Sequence, residues 1–492
     1  MRQLIVVGLL AFAVALTGTA YAEVQNIKVS GDLDIKGITH HNYDLKLKQK
    51  NESGHTGVGT ITNDDTEDFA LSTLHIKIDA DLTDNVSTSV RLLNQRKWDI
   101  FTAGDEQIAV DNAYVTLREF LYSPLTLIVG RQNLVYGSGF IVGNGLLADP
   151  EGVFASTSTG AGAQLTGEEY SAFNSFDAVR AILDFSTLTV EGVMAIVNET
   201  GVANDDENLY GVLANYKLDR WEAEVEPYWF YKSDESGAKT ITVNDSSSAL
   251  GVLRAYESNK VHTVGIRTAA TPVENLRISA EGAHQFGELR DTSTGAGITQ
   301  SERNRSAWAA NIYANYTWAQ APWTPATGLG WTFYSGEEPS GTREAADLQD
   351  RNDTFNAWEP MYRGSFTTYI QDFLTGADAP LGLYTTFDTN DTAATTNRHL
   401  IYGDLKLNPM KDITLWARYT HAMFDEAPRP GRSHDAGDEL DAKLLYDYTE
   451  DVQLALFGGW FFPGHYYEEP ASSSLRGDDL AWTAGGGGSV KF

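Results

Sequence analysis

A strand with lipid on one side and water on the other must alternate apolar with polar or small residues, and this chain does so again and again. Val86, Thr88, Val90 and Leu92 alternate with Ser87, Ser89, Arg91 and Leu93. Leu276, Ile278, Ala280 and Gly282 alternate with Arg277, Ser279, Glu281 and Ala283, and Ile413, Leu415, Ala417 and Tyr419 with Thr414, Trp416, Arg418 and Thr420. The pattern predicts eighteen strands, at 26–40, 68–80, 85–97, 108–118, 124–132, 175–185, 188–197, 208–218, 221–232, 259–269, 274–287, 305–318, 327–335, 398–407, 412–423, 437–448, 452–461 and 482–492.

The connections are a second, independent signal. Those after odd-numbered strands are often long and polar, as at 41–67, 133–174, 233–258, 336–397 and 462–481. Those after even-numbered strands are short: Asp81 to Asp84, Ser186-Thr187, Asp219-Arg220, Ala270 to Val273, Asn408 to Lys411 and Thr449 to Asp451. Long external loops and short periplasmic turns give an outer-membrane barrel this rhythm, and an even strand number puts both termini on the periplasmic side. A soluble sandwich has no reason to sustain it. The expected fold is therefore all-β, a transmembrane antiparallel barrel closed because no backbone edge survives in lipid. The ending Val490-Lys491-Phe492 suits a closing strand, and Trp98, Trp221, Tyr228, Trp318, Trp416 and Trp482 are candidates for the interfacial aromatic girdles.

At the N-terminus, Arg2 precedes an apolar run from Leu4 to Leu16, and Ala20-Tyr21-Ala22 follows as a small-residue cleavage site. This order predicts a secretory signal peptide over 1–22 and a single barrel domain over 23–492. The run is shorter than the ~20 residues a spanning helix needs. An exported chain without cysteine must draw its stability from hydrogen-bonded architecture instead of disulfides. A formal net charge of −31 argues against nucleic acid as a partner, and 42% hydrophobic residues argue against disorder.

No motif for nucleophilic catalysis, zinc hydrolysis or phosphate binding stands in a usable context, so no catalytic residue, metal site or cofactor is expected. The glycines between Tyr136 and Gly145 belong to a long loop with no helix start behind them. His40-His41 is the only adjacent histidine pair. Two acidic clusters, Asn63-Asp64-Asp65 with Glu67-Asp68 and Asn204-Asp205-Asp206-Glu207, are either solvated loop tips or weak Ca²⁺ ligands.

Strand parity assigns the lumen. Arg91, Arg267, Arg277, Arg398, Arg418, Lys77, Lys217, Lys406 and Lys443 fall on the polar faces, with Glu222, Glu224, Glu226, Glu281, Asp404, Glu439 and Asp441. Arg180 is ambiguous, because it shares a face with Phe176, Ala178 and Ile182. An Arg or Lys facing mid-bilayer lipid would be unfavourable by ~2–4 kcal/mol, which favours inward placement. Such a ladder either binds passing anions or merely keeps the lumen wet.

Several segments resemble the alginate export family of outer-membrane porins. They are Leu127-Ile128-Val129-Gly130-Arg131-Gln132, Ser175-Phe176-Asp177-Ala178-Val179-Arg180, Tyr334-Ser335-Gly336, Phe355-Asn356-Ala357-Trp358-Glu359-Pro360, Gly437-Asp438-Glu439-Leu440-Asp441 and Phe461-Phe462-Pro463-Gly464. The likeness implies a monomeric eighteen-stranded barrel with an arginine-lined, loop-obstructed pore. It implies a lumen role for Arg131, which needs a bulge at Gly130 to turn inward, and then for Glu439 and Asp441. The chain departs from the family's namesake at Asp111, where that protein carries a basic residue. The expected function is a channel for hydrophilic, anionic solutes such as poly- or oligosaccharides. Its surroundings would be outer-membrane lipid and lipopolysaccharide, with the long loops 133–174 and 336–397 folded over or into the pore. The alternatives are an accessory barrel that anchors a partner, and a barrel hydrolase.

Overall fold

All eighteen expected strands form. The computed structural model describes residues 26–43, 45, 66–98, 108–143, 175–198, 207–235, 239–243, 252–293, 301–336, 354–363, 367–372, 396–427, 431–468 and 479–492. The leader segment and the clusters at 63–65 and 204–206 lie outside these residues. In order, the strands are β1 (Asn26–His41), β2 (Thr66–Thr83), β3 (Val86–Lys97), β4 (Ala109–Leu117), β5 (Leu125–Gln132), β6 (Phe176–Asp184), β7 (Leu188–Asn198), β8 (Glu207–Leu218) and β9 (Ala223–Asp234). There follow β10 (Lys239–Val243), β11 (Val252–Val273), β12 (Leu276–Ser293), β13 (Ser301–Thr317), β14 (Ala326–Tyr334), β15 (Arg398–Met410), β16 (Ile413–Met423), β17 (Asp435–Asp447), β18 (Val452–Pro463) and β19 (Ala481–Lys491).

Consecutive strands pair antiparallel around the whole sheet, and β1 pairs with both β2 and β19. β10 adds no position to the wall. It continues the line of β9, since β9 pairs with β11 over Ala269 to Asn259 and β10 pairs with β11 over Tyr256 to Val252. The result is a closed barrel of eighteen staves. β10 and the outer ends of β11, β12 and β13 run beyond the sequence-based bounds. They rise past the lipid, where one-sided apolarity is no longer required and the alternation that marks a strand is lost.

The core is inverted relative to a soluble protein. Leu329 is 73% exposed and Val212, Ile266 and Leu456 are exposed on the outer face, while Glu439, Asp441 and Gln285 are fully buried on the inner one. An aliphatic side chain left in water forfeits about 2 kcal/mol of burial, so this outer band identifies lipid as its medium. Trp221 and Trp318 mark the short-turn end of the band, and Trp98 and Trp482 the loop end. The loop-end girdle also recruits histidines, with His262 stacked between Tyr231 (4.5 Å) and Phe286 (5.1 Å). Two girdle expectations are corrected. Tyr228 points into the lumen and donates to Glu281, and Trp416 lines a lumen recess. His40 and His41 face opposite sides of β1, stacked on Tyr43 and Trp482 respectively, so they do not form a chelating pair.

The closing ladder of β1 and β19 runs from His41↔Trp482 to Asp32↔Lys491 and extends to Phe492. Gly31 N–H donates to Phe492 O at 2.8 Å and Phe492 N–H returns to Gly31 O at 2.9 Å. A Cβ on Gly31 would lie 2.6 Å from both the Phe492 ring and His75 O, so the terminal ring occupies the place of a side chain. Gly31→Val should therefore weaken the seam by about 2 kcal/mol through overpacking. We expect a lower unfolding midpoint in the gel-shift assay that separates folded from heated barrels. A wild-type midpoint would contradict this account of closure.

Candidate functional site: a plugged lumen

Small residues make room inside the wall. Ala178, Ala195, Ala283, Ala307 and Ala309 face inward on β6, β7, β12 and β13, and parts of two long loops fill the trough they leave. Leu134, Phe140, Ile141 and Val142 of one loop pack with Trp358, Met361 and Tyr362 of the other. The loops also grip each other. Gly143 N–H donates to Tyr362 O at 2.7 Å, Tyr362 N–H donates to Ile141 O at 3.1 Å, and Val142 and Tyr362 form a parallel bridge. Both loops expected to enter the pore thus contribute described segments to a plug within it.

Burial of this polar backbone requires partners, and the wall supplies them. Glu359 is the hub. Lys232 donates to its carboxylate at 3.0 Å, Asn259 at 3.0 Å, and Arg305 stands 3.6 Å away. Gln285 exchanges two hydrogen bonds with the Glu359 backbone, and Arg305 donates to Ala357 O at 2.8 Å. Glu207 completes the cluster, 3.1 Å from Lys232 and accepting from Tyr362 Oη at 2.7 Å. In the first loop Tyr136 donates to Glu191 at 2.7 Å and Ser138 to Glu281 at 3.2 Å. Burial, then the neighbouring Glu191 charge, pushes the Tyr136 phenol well above its ordinary value, so it stays a donor.

A second grip holds residues 367–372. The five successive N–H groups from Thr367 to Gln371 all donate to carboxylates, the first two to Asp372 and the next three to Glu439, at 2.7–3.0 Å. Such a run of aligned N–H groups is an anion nest. Burial by itself would raise the Asp372 carboxyl, but Arg363 and Arg398, with the Thr367 and Thr368 N–H groups, hold it below its usual value. Arg363 lies 3.1 Å and Arg398 3.9 Å from that carboxylate. Arg418 reaches the same segment through Thr367 O at 3.0 Å while it forks onto Asp404 at 2.6 and 3.0 Å.

Five of the expected lumen arginines, Arg418 among them, meet carboxylates of the wall. Arg91 pairs with Asp111, the residue bulged out of β4, which also accepts from Ser175. Arg180 resolves to the inner face and forks onto Glu191 at 2.5 and 2.9 Å. Arg267 pairs with Glu226 and Glu224, and Arg277 shares Glu224 at 3.2 Å. Glu439 and Asp441 sit side by side, fully buried, on the inner face of β17. Lys443 continues that face, and among the described residues it forms no ion pair.

Arg131 is placed differently. The ladder runs unshifted past Gly130 on both sides, so the expected bulge is absent. Arg131 stands opposite Ala113 and Asp177, on the side of β5 that carries Val129 and Leu127 rather than the Gln132 side. Glu222 belongs to a single 3-10 turn, Arg220–Glu222, before β9.

Sequence reasoning missed Lys232, Arg305, Glu207, Glu359, Arg363 and Asp372. Lys232 and Glu207 lie at strand ends, where parity gives weak signals, and the loop residues have no parity at all. The one available signal was a charged residue, Glu359, enclosed by Trp358 and Pro360. Glu207, the described member of its acidic cluster, pairs with Lys232 and accepts from Tyr362. Among the described residues no three metal-ligating side chains cluster.

Toward the short turns the lumen cations are less committed. Among the described residues Lys217 and Lys406, like Lys443, form no ion pair, and both are exposed on the inner face.

Three solved porins are similar to the chain at low identity. OccK11 (OpdR) of Pseudomonas aeruginosa is 11% identical, with 95% of this chain and 96% of that one covered and a TM-score of 0.48. OccK2 (OpdF) of the same organism, solved in complex with glucuronate, is 12% identical, with 95% and 98% covered and a TM-score of 0.49. A BenF-like porin from Pseudomonas fluorescens Pf-5 is 11% identical, with 95% and 99% covered and a TM-score of 0.49. No curated protein sequence matches the chain. The family model described as alginate export matches residues 40–477, nearly the whole barrel, and the chain belongs to the alginate export family of outer-membrane porins.

Proposed function

We propose that this porin passes anionic saccharides, and that the inward-folded loops are its gate. The observation that carries the reading is the division of labour among lumen cations. The lumen arginines at the described positions are neutralised by wall or plug carboxylates, whereas among the described residues Lys217, Lys406 and Lys443 stand without such partners on the turn side of the plug. Uncommitted charges of one sign concentrate the opposite ion in a confined pathway. Lysine suits the task, since a flexible, strongly hydrated ammonium holds an anion loosely enough to release it. The leader at 1–22 would deliver the chain to the outer membrane, where its outer loops would meet lipopolysaccharide.

In planar bilayers under a salt gradient the reversal potential should report anion preference. Replacing Lys217, Lys406 and Lys443 together by Gln should lower that preference several-fold, with conductance retained. Cation preference in the unaltered protein would overturn the reading, and a sealed barrel would favour an accessory role. The gate makes a separate prediction. Glu359→Ala removes the carboxylate that Lys232, Asn259 and Arg305 share, leaving Glu207 as the remaining carboxylate partner of Lys232, a loss of about 3 kcal/mol. The plug should then loosen and mean conductance rise, while the strand ladder and its heat resistance stay intact. Unchanged conductance would mean that the plug does not close the pore.

A further inference from the structure

One feature of the wall is explained by neither the ladder nor the plug. On the turn-side part of β14 the inner face carries Ala326, Gly328 and Gly330, so this part of the stave presents almost no side chain to the lumen. Tyr313 leans over the space from β13, where its hydroxyl would collide with a Cβ on Gly328 at 2.3 Å. Below it, toward the turns, a recess of about 270 Å³ remains, lined by Tyr313, Asn315, Thr324, Lys406, Asn408 and Trp416, and by Asp404, whose carboxylate is neutralised by Arg418. A recess of this size is on the scale of a site for one sugar-sized ligand.

The lining has one chemistry of each kind that a sugar acid requires. Lys406 supplies an uncommitted cation and is in register with Trp416 on one side and Ala326 on the other. Trp416 offers an indole for the apolar C–H face of a pyranose. Asn315, Asn408 and Thr324 offer amide and hydroxyl groups to ring hydroxyls. These groups are fixed in advance. Asn408 donates to Thr324 Oγ1 at 2.9 Å and accepts from Thr414 at 3.0 Å, and Tyr313 donates to Asp404 at 2.9 Å. A preorganised polar set beside one aromatic wall is the general form of a small-molecule site. The plug roofs it, because Tyr369 stands 6.1 Å from Trp416, ring centroid to ring centroid.

We infer that this recess is a subsite for a single carboxylated pyranose unit, held by Lys406 and Trp416 immediately beneath the plug. It rests on the anionic-saccharide reading and gives it a place. A sugar acid bound here touches the gate before passing it, on the turn side of the plug.

Single-channel recording with galacturonate, and galactose as its neutral counterpart, tests the assignment. Galacturonate should block the unaltered channel with longer dwell times than galactose. Ala326→Leu fills the recess without changing any charge, and should shorten the galacturonate dwell about tenfold with ion selectivity unchanged. Lys406→Met keeps the stem and removes the ammonium, and should shorten it by a similar factor, the loss of one charge-assisted contact. Wild-type dwell times in both variants would overturn the subsite while leaving an anion-selective pore standing. Absence of any galacturonate block in the unaltered channel would overturn the subsite as well. Cation selectivity in that same channel would remove the broader reading with it.

Discussion

The structure depends on one constraint: within lipid, every backbone N–H and C=O must find its partner in the sheet. A sheet with free edges cannot meet it, so β1 must pair with β19, and the ladder from Asp32↔Lys491 to His41↔Trp482 does this. Once the barrel is closed, parity divides the side chains. Leu329, Leu456 and Ile266 take the lipid face, and Glu439, Asp441 and Arg418 take the interior. Eighteen staves enclose more space than wall side chains alone can fill, and alanines on the inner faces of β6 to β13 widen it further. The loops can therefore fold inside.

A plug of loop backbone brings polar groups into a buried setting, and each needs compensation. The chain supplies it with charge instead of with further apolar packing. Glu359 is met by Lys232, Asn259 and Arg305, and the nest at 367–371 is met by Asp372 and Glu439. A buried pair is strongly destabilising to break, because the surviving charge is stranded. Grips of this kind hold one plug position well and resist partial displacement. Arginine, with its planar fork, fits these two-point contacts, as Arg180 on Glu191 and Arg418 on Asp404 show. Lys217, Lys406 and Lys443 are left for the turn side of the lumen.

The wall was legible in the sequence because lipid imposes a period of two on every spanning segment. Eighteen strands and their up-and-down order followed from that period and from connection length. What failed had lost the period. β10 lies beyond the lipid, and Glu359 and Asp372 sit in loops where position along the chain says nothing about direction. Arg131 shows the reverse difficulty. Its parity grouped it with Leu127 and Val129, and the structure keeps it there, whereas the family motif had implied a bulge that the ladder lacks. Trp416 was read by residue type as an interfacial aromatic. Its own parity, shared with Arg418 and Thr420, already placed it inside.

The central claim proposed for this porin is that a carboxylated sugar passes its lumen more readily than a neutral one of equal size, because lysines without carboxylate partners among the described residues line the turn side of the plug. Flux into proteoliposomes containing the purified protein measures this directly, with a hexuronate compared against the corresponding hexose. The account predicts faster entry of the hexuronate, with the advantage shrinking as salt screens the lysines. Equal or faster entry of the hexose, or exclusion of both, would contradict it.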